Sequence, residues 1–204
     1  MRKICLLVAA FALLLSCSKK NNVTPANNSV KIDGTDYPTV TIGNQVWTTV
    51  NYSGAGGYHS ADHAYGDYYT QSQALAINLP TGWRVPTMSD YNILLGNFTT
   101  AKDPQGNFDL VANNVATLLS TSGWPTTGTN VSGFNAQPGG LFAIQPQPPI
   151  FESDGAAGYY MTSDAGGQLS RFGFLVSPLG ANIGASSTGG LSYSAYSLRF
   201  VRTK

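Results

Sequence analysis

Both cysteines of this 204-residue chain, Cys5 and Cys17, fall within the first seventeen residues. Whatever folds after them has no thiol: no disulfide, no cysteine metal site and no cysteine nucleophile. Such a domain must hold together through its core, and roughly 170 residues are enough to bury one. Charged residues make up only 10% of the chain, against about 25% in ordinary domains. Gly, Ser, Thr, Asn and Tyr take their place, a composition that favours strands and loops.

The cysteines also bear on where the chain goes. Arg2 and Lys3 precede an apolar run from Ile4 to Leu15, too short to span a bilayer and typical of a secretory signal. Leu14-Leu15-Ser16-Cys17 resembles the lipobox of bacterial lipoproteins, in which the thiol is acylated and the chain is cut just before it. The expected organisation is a signal over 1–16, a flexible tether over 17–29 from an acylated Cys17, and one domain over 30–204. The segment Ser18–Ser29 has almost no apolar content, and a coil of that length reaches a few nanometres at most, at roughly 5–6 Å × √n. No acidic residue follows Cys17 directly, whereas Lys19 and Lys20 do. That favours the periplasmic face of an outer membrane over the cell surface.

Eleven Lys/Arg face ten Asp/Glu. Without Arg2 and Lys3 the balance is nine to ten, a net charge near −1. No basic patch supports nucleic-acid binding, which depends on neutralising phosphates.

Alternation over Val30–Asp33, Tyr37–Ile42 and Gln45–Val50, punctuated by Gly34 and Gly43-Asn44, predicts a strand hairpin. A short helix is expected around Tyr68–Asn78. The strongest helix signal follows Pro86, with Thr87 as N-cap, Asp90 three positions on, and Tyr91, Leu94, Leu95 and Phe98 on one face. A third helix is expected over Leu110–Leu119. Later strands are expected at Leu141–Gln145, Gly158–Thr162, Arg171–Val176 and Ser197–Arg202. The fold class is α+β, with N- and C-terminal strands meeting in one sheet, two or three short helices and a loop-rich second half.

A family likeness is carried by blocks in order. Thr41-Ile42-Gly43-Asn44-Gln45-Val46-Trp47 resembles the opening signature of the Fibrobacter succinogenes major paralogous domain family. Tyr65–Thr70, Pro80–Thr87, Gly133–Gly140, Tyr159–Ser163 and Tyr196–Arg202 are similar to its later blocks. The resemblance implies a C-type-lectin-like fold related to that of formylglycine-generating enzymes, in a Bacteroidetes-like or Fibrobacter-like envelope protein. It implies no established reaction. Members commonly have Cys where this chain has Leu79 and Phe200. We expect an apolar contact there in place of the disulfide. Two buried side chains at about 1.5–3 kcal/mol each roughly offset a crosslink worth about 4–5 kcal/mol. Trp83, in the Pro80–Thr87 block, is expected in the core.

Catalytic groups are scarce. His59 and His63 are four apart, but Gly and Tyr around them argue for a loop, so no metal or cofactor is expected. Glu152 is the single Glu, near Asp154 in a Gly-rich stretch, and a glycosidase needs two positioned carboxylates. No Gly-x-Ser-x-Gly elbow is present, formylglycine-type chemistry lacks its thiols, and the Glu-Pro-Asn and Gln-Pro-Asp motifs of calcium lectins are absent. The expectation is a non-enzymatic domain that binds a glycan or an envelope protein. Tyr159, Tyr160, Ser187, Tyr193 and Tyr196 are its candidate contacts, because Tyr- and Ser-rich loops suit adaptable recognition. The stretch Ser186–Ser197 could also be a diversified recognition loop. The alternative reading is a structural or adhesive component of a surface assembly.

Overall fold

The computed structural model describes residues 23–59, 65–145, 148–164, 171–186 and 194–204. Strands β1 (Val23–Ile32), β2 (Thr35–Ile42) and β3 (Gln45–Thr48) form an antiparallel meander, closed by the C-terminal β12 (Val201–Thr203) against β3. The first and last strands of the fold do share a sheet. Asp33 and Gly34 both take positive φ, 48° and 83°, as a two-residue turn matched to strand twist requires. Strand β1 begins at Val23, not at residue 30, and Val23–Pro25 pair with Val40–Ile42 across an irregularity before Ser29. The second half of the expected tether is therefore sheet.

A larger sheet follows the order β5-β10-β9-β8-β11-β6-β7, with β4 also on β11. Its members are β4 (Tyr68–Tyr69), β5 (Leu110–Val111), β6 (Leu141–Ala143), β7 (Ile150–Glu152), β8 (Gly158–Met161), β9 (Arg171–Ser177), β10 (Gly180–Ser186) and β11 (Ser194–Ser197). The molecule is thus sheet-rich with short helices, an α+β arrangement.

The helices are shorter than their sequence signals. α1 covers only Gln71–Leu75, because Tyr68 and Tyr69 extend to pair with Ser197 and Tyr196. α2 (Met88–Gly96) starts as expected, with a complete capping box between Thr87 and Asp90, and ends before Phe98. α3 is one turn, Ala112–Val115. It stops because the carbonyls of Ala116, Leu118 and Leu119 accept amides from Thr129, Ala136 and Asn130 instead. The expected strand Ser197–Arg202 is two strands: β11 ends at Ser197 in one sheet and β12 starts at Val201 in the other. Leu198–Phe200 crosses between them. Strands β7 and β10 carry no sequence signal, since Pro precedes one and Gly fills the other.

Among the described residues, two apolar clusters lie within the fold. One centres on Trp47, Tyr91, Phe134 and Phe174, where α2 packs on the larger sheet. Tyr91 and Phe174 stack with centroids 4.5 Å apart. The other gathers Tyr37, Tyr52, Tyr69, Met161 and Phe200, with Leu79 packed against it. Leu79 and Phe200 thus share one cluster. Trp83 is only half-buried at its margin, a correction to the expected core position. Its segment pairs outside β12, through Arg84 and Val201.

Candidate functional site

Segments from across the chain converge around one buried cation. Arg199, fully buried on the crossover, donates from Nε to Asn51 Oδ1 (2.6 Å) and from Nη1 and Nη2 to the carbonyls of Thr48, Phe134 and Asn135 (2.8–2.9 Å). Its guanidinium also lies 5.2 Å and 5.5 Å from the ring centroids of Phe134 and Tyr160. Burial pulls its pKa down, and the neighbouring Tyr160 and Tyr91 oppose that shift. Charge-assisted bonds to neutral oxygens keep the five-donor fork satisfied.

Asn51 passes this order to the surface. Its Nδ2 donates to the Tyr65 carbonyl (2.7 Å) and to Ser197 Oγ (3.1 Å). Above it opens a cleft of about 410 Å³ lined by Asp36, Tyr37, Asn51, Ser53, His59, Tyr65, Asp67 and Gln137, among others. Asp67 is buried to 7% exposure, and its Oδ1 lies 2.6 Å from Nδ1 of His59, whose side chain is 74% exposed. Gly66 must be glycine here: φ is +85°, and a Cβ would meet Asn51 Cβ at 2.9 Å and the Tyr52 carbonyl at 3.0 Å. Reciprocal backbone bonds between Tyr58 and Tyr68 (2.7 and 3.1 Å) hold the strand leading into His59.

An aromatic shelf continues from Tyr58. Its ring lies 5.0 Å from Phe142, which lies 5.0 Å from Phe151, with buried Tyr68 5.2 Å behind. Tyr58, Phe142 and Phe151 are half-buried, so part of each ring faces outward. The cleft offers carboxylate, imidazole, amide and phenol groups held in fixed positions.

The sequence candidates scatter. Tyr160 is a core residue at 0% exposure whose hydroxyl accepts from the Gln137 amide (2.8 Å). Tyr196 is buried at 2% under Tyr159, the rings 6.0 Å apart and stacked. Neither reaches a surface ligand, because β8 and β11 turn both rings inward. Tyr159 is half-buried. His63, Ser187 and Tyr193 lie outside the described residues, as do Cys17 and the signal over 1–16. Among the described residues no group of three or more His, Cys, Asp or Glu could hold a metal ion, and no helix is long and apolar enough to cross a membrane. Sequence reasoning missed Asn51, Tyr65, Asp67 and Gln137. Three of these stand in the Tyr65–Thr70 and Gly133–Gly140 blocks, the one signal that could have pointed to them.

The Fibrobacter succinogenes major domain matches this chain over residues 40–202. No curated protein and no solved structure matches it.

Proposed function

Because the chain belongs to the Fibrobacter succinogenes major domain family, we propose that it is a lipid-anchored envelope protein whose lectin-like domain binds a glycan without transforming it. The observation that carries this reading is the His59–Asp67 cleft beside the Tyr58–Phe142–Phe151 shelf. Fixed planar polar groups bond sugar hydroxyls in both directions, and exposed ring faces cover the apolar faces of a sugar ring. The short apolar run, Leu14–Cys17 and the polar segment after it support acylation at Cys17, and the lack of an acidic residue in Ser18–Asn22 favours the periplasmic face of the outer membrane over the cell surface.

A glycan array probed with the full chain tests the binding. Specific glycans should be retained, and Asp67→Asn, which alters the partner of His59, should weaken them about tenfold, the loss of one charge-assisted hydrogen bond. A folded sample that binds nothing, or binds equally well with Asp67→Asn and Tyr58→Ala, removes the reading. Protease shaving of intact cells and fatty-acid labelling with and without Cys17→Ser test the placement.

One observation favours a structural or adhesive role. Among the described residues β7 is the last strand of the larger sheet, and Ile150 on it is 43% exposed; an edge strand is the kind of element that accepts another chain. Co-purification in a stoichiometric complex would support it.

A further inference from the structure

The outward face of the four-stranded sheet bears a second site with the opposite charge. Thr41, Val46 and Arg202 stand directly opposite one another on β2, β3 and β12. Beyond β12, the pairing of Arg84 with Val201 extends this row to Trp83. The Arg202 guanidinium lies 5.7 Å from the Trp83 ring centroid, which holds a flexible cation in place by a cation–π contact. Together with Lys204 these residues line a groove of about 570 Å³, within the range that holds small ligands.

The charge of the groove is one-sided. Lys31 and Arg84 are neutralised by Asp36 and Asp90. Arg202 and Lys204 belong to no ion pair among the described residues, and no Asp or Glu side chain lines the groove among them. Arg202 is exposed, and a guanidinium held over an indole can present an N–H edge, which fits a carboxylate with two parallel bonds. The hydroxyl-bearing residues Ser29, Thr39, Thr41 and Thr81 line the same groove. Thr39 is 4% exposed and its hydroxyl donates to the Asn28 carbonyl (2.9 Å), which leaves Ser29, Thr41 and Thr81 to meet a ligand. Hydroxyls from three separate segments, spread across strands spaced by roughly 4.8 Å, match an extended ligand rich in hydroxyls and not a lone small anion.

We propose that this groove binds an acidic oligosaccharide, its carboxylates on Arg202 and Lys204 and its hydroxyls along the threonines. The site is separate from the His59–Asp67 cleft, whose charged lining is acidic.

Tryptophan emission of the full chain in detergent at low salt provides the test. Trp47 and Trp124 are buried at 0% and 7%, so a ligand-dependent change reports Trp83. Tetragalacturonate should quench saturably, and Arg202→Gln should weaken that binding about tenfold or more. Lys204→Gln leaves the Trp83–Arg202 contact alone and should weaken binding without changing the unliganded spectrum, which separates lost binding from a lost reporter. Maltotetraose, neutral and of equal length, should give no saturable change, and inorganic phosphate should bind more weakly than the uronate. The proposal is overturned by an unresponsive protein, by unchanged affinity in Lys204→Gln, by equal binding of maltotetraose, or by phosphate binding as tightly as the uronate.

Discussion

Arg199 shows how a single side chain can join distant parts of a chain without an opposite charge. Its bonds run to the carbonyls of Thr48, Phe134 and Asn135 and to Asn51, which stands 148 residues away in sequence. Arg199→Met should therefore do more than remove a charge. It strands several buried acceptors, at about 1–3 kcal/mol for each left unsatisfied, and loosens Asn51 beneath the cleft. The expected outcome is a loss of about 3 kcal/mol or more in urea unfolding, together with weaker glycan retention. A variant within 1 kcal/mol of the parent would show that water or rearranged backbone takes over those bonds. Gly43 is a second sensitive residue. Its φ is +59°, and an added Cβ would come within 2.6 Å of Asn97 Oδ1 at the end of α2. Gly43→Ala should lower the thermal midpoint, whereas Gly34→Asn, at φ +83° with nothing within 4 Å, should change it little.

At the scale of elements, the family blocks are joints of the fold. Asp90 accepts the Arg84 guanidinium (2.5 and 2.8 Å), the Thr87 amide (2.8 Å) and Gln45 Nε2 (3.1 Å), and Gln45 Oε1 in turn accepts Trp47 Nε1 (3.2 Å). One buried carboxylate thus ties the opening block to the Pro80–Thr87 block and caps α2. Thr87→Ala should cost about 1 kcal/mol. Asp90→Asn should cost more, since it removes the charge that pairs with Arg84 and leaves one acceptor oxygen where two now serve Thr87, Arg84 and Gln45. Denaturant midpoints of the two variants check that ranking, and equal losses would mean the ion pair adds nothing. The cap and the Asp33-Gly34 hairpin were legible in sequence because each is decided within a few neighbouring residues. The extent of α1 and α3 was not, because pairing with β11 and with the 128–136 loop overrides local helix preference. The break between β11 and β12 was equally hidden. A continuous extended pattern carries no mark of which sheet each half joins.

For the whole molecule, the aromatic core sets an alkaline limit. Burial pushes the phenols of Tyr52, Tyr68, Tyr69, Tyr91 and Tyr160 above the ordinary value of 10.0. These groups keep their protons when folded and lose them above pH 10 when unfolded. Their contribution to stability is complete below pH 10 and declines as pH rises beyond it, each such group removing about 1.4 kcal/mol per pH unit. Tyrosinate absorbance from these residues should rise together with loss of the far-ultraviolet signal. Full ionisation of all eleven tyrosines in a native chain would contradict the burial described above. The sequence by itself determined the absence of thiols after Cys17, the ordered family blocks, the α2 cap and the first hairpin, all of which depend on residue identity or near neighbours. Only the tertiary structure decided that Tyr160 and Tyr196 are core residues, that His59 meets Asp67, and that Arg202 lies over Trp83. Burial and charge pairing depend on which segments the two sheets bring side by side, and that is settled by packing over the whole chain.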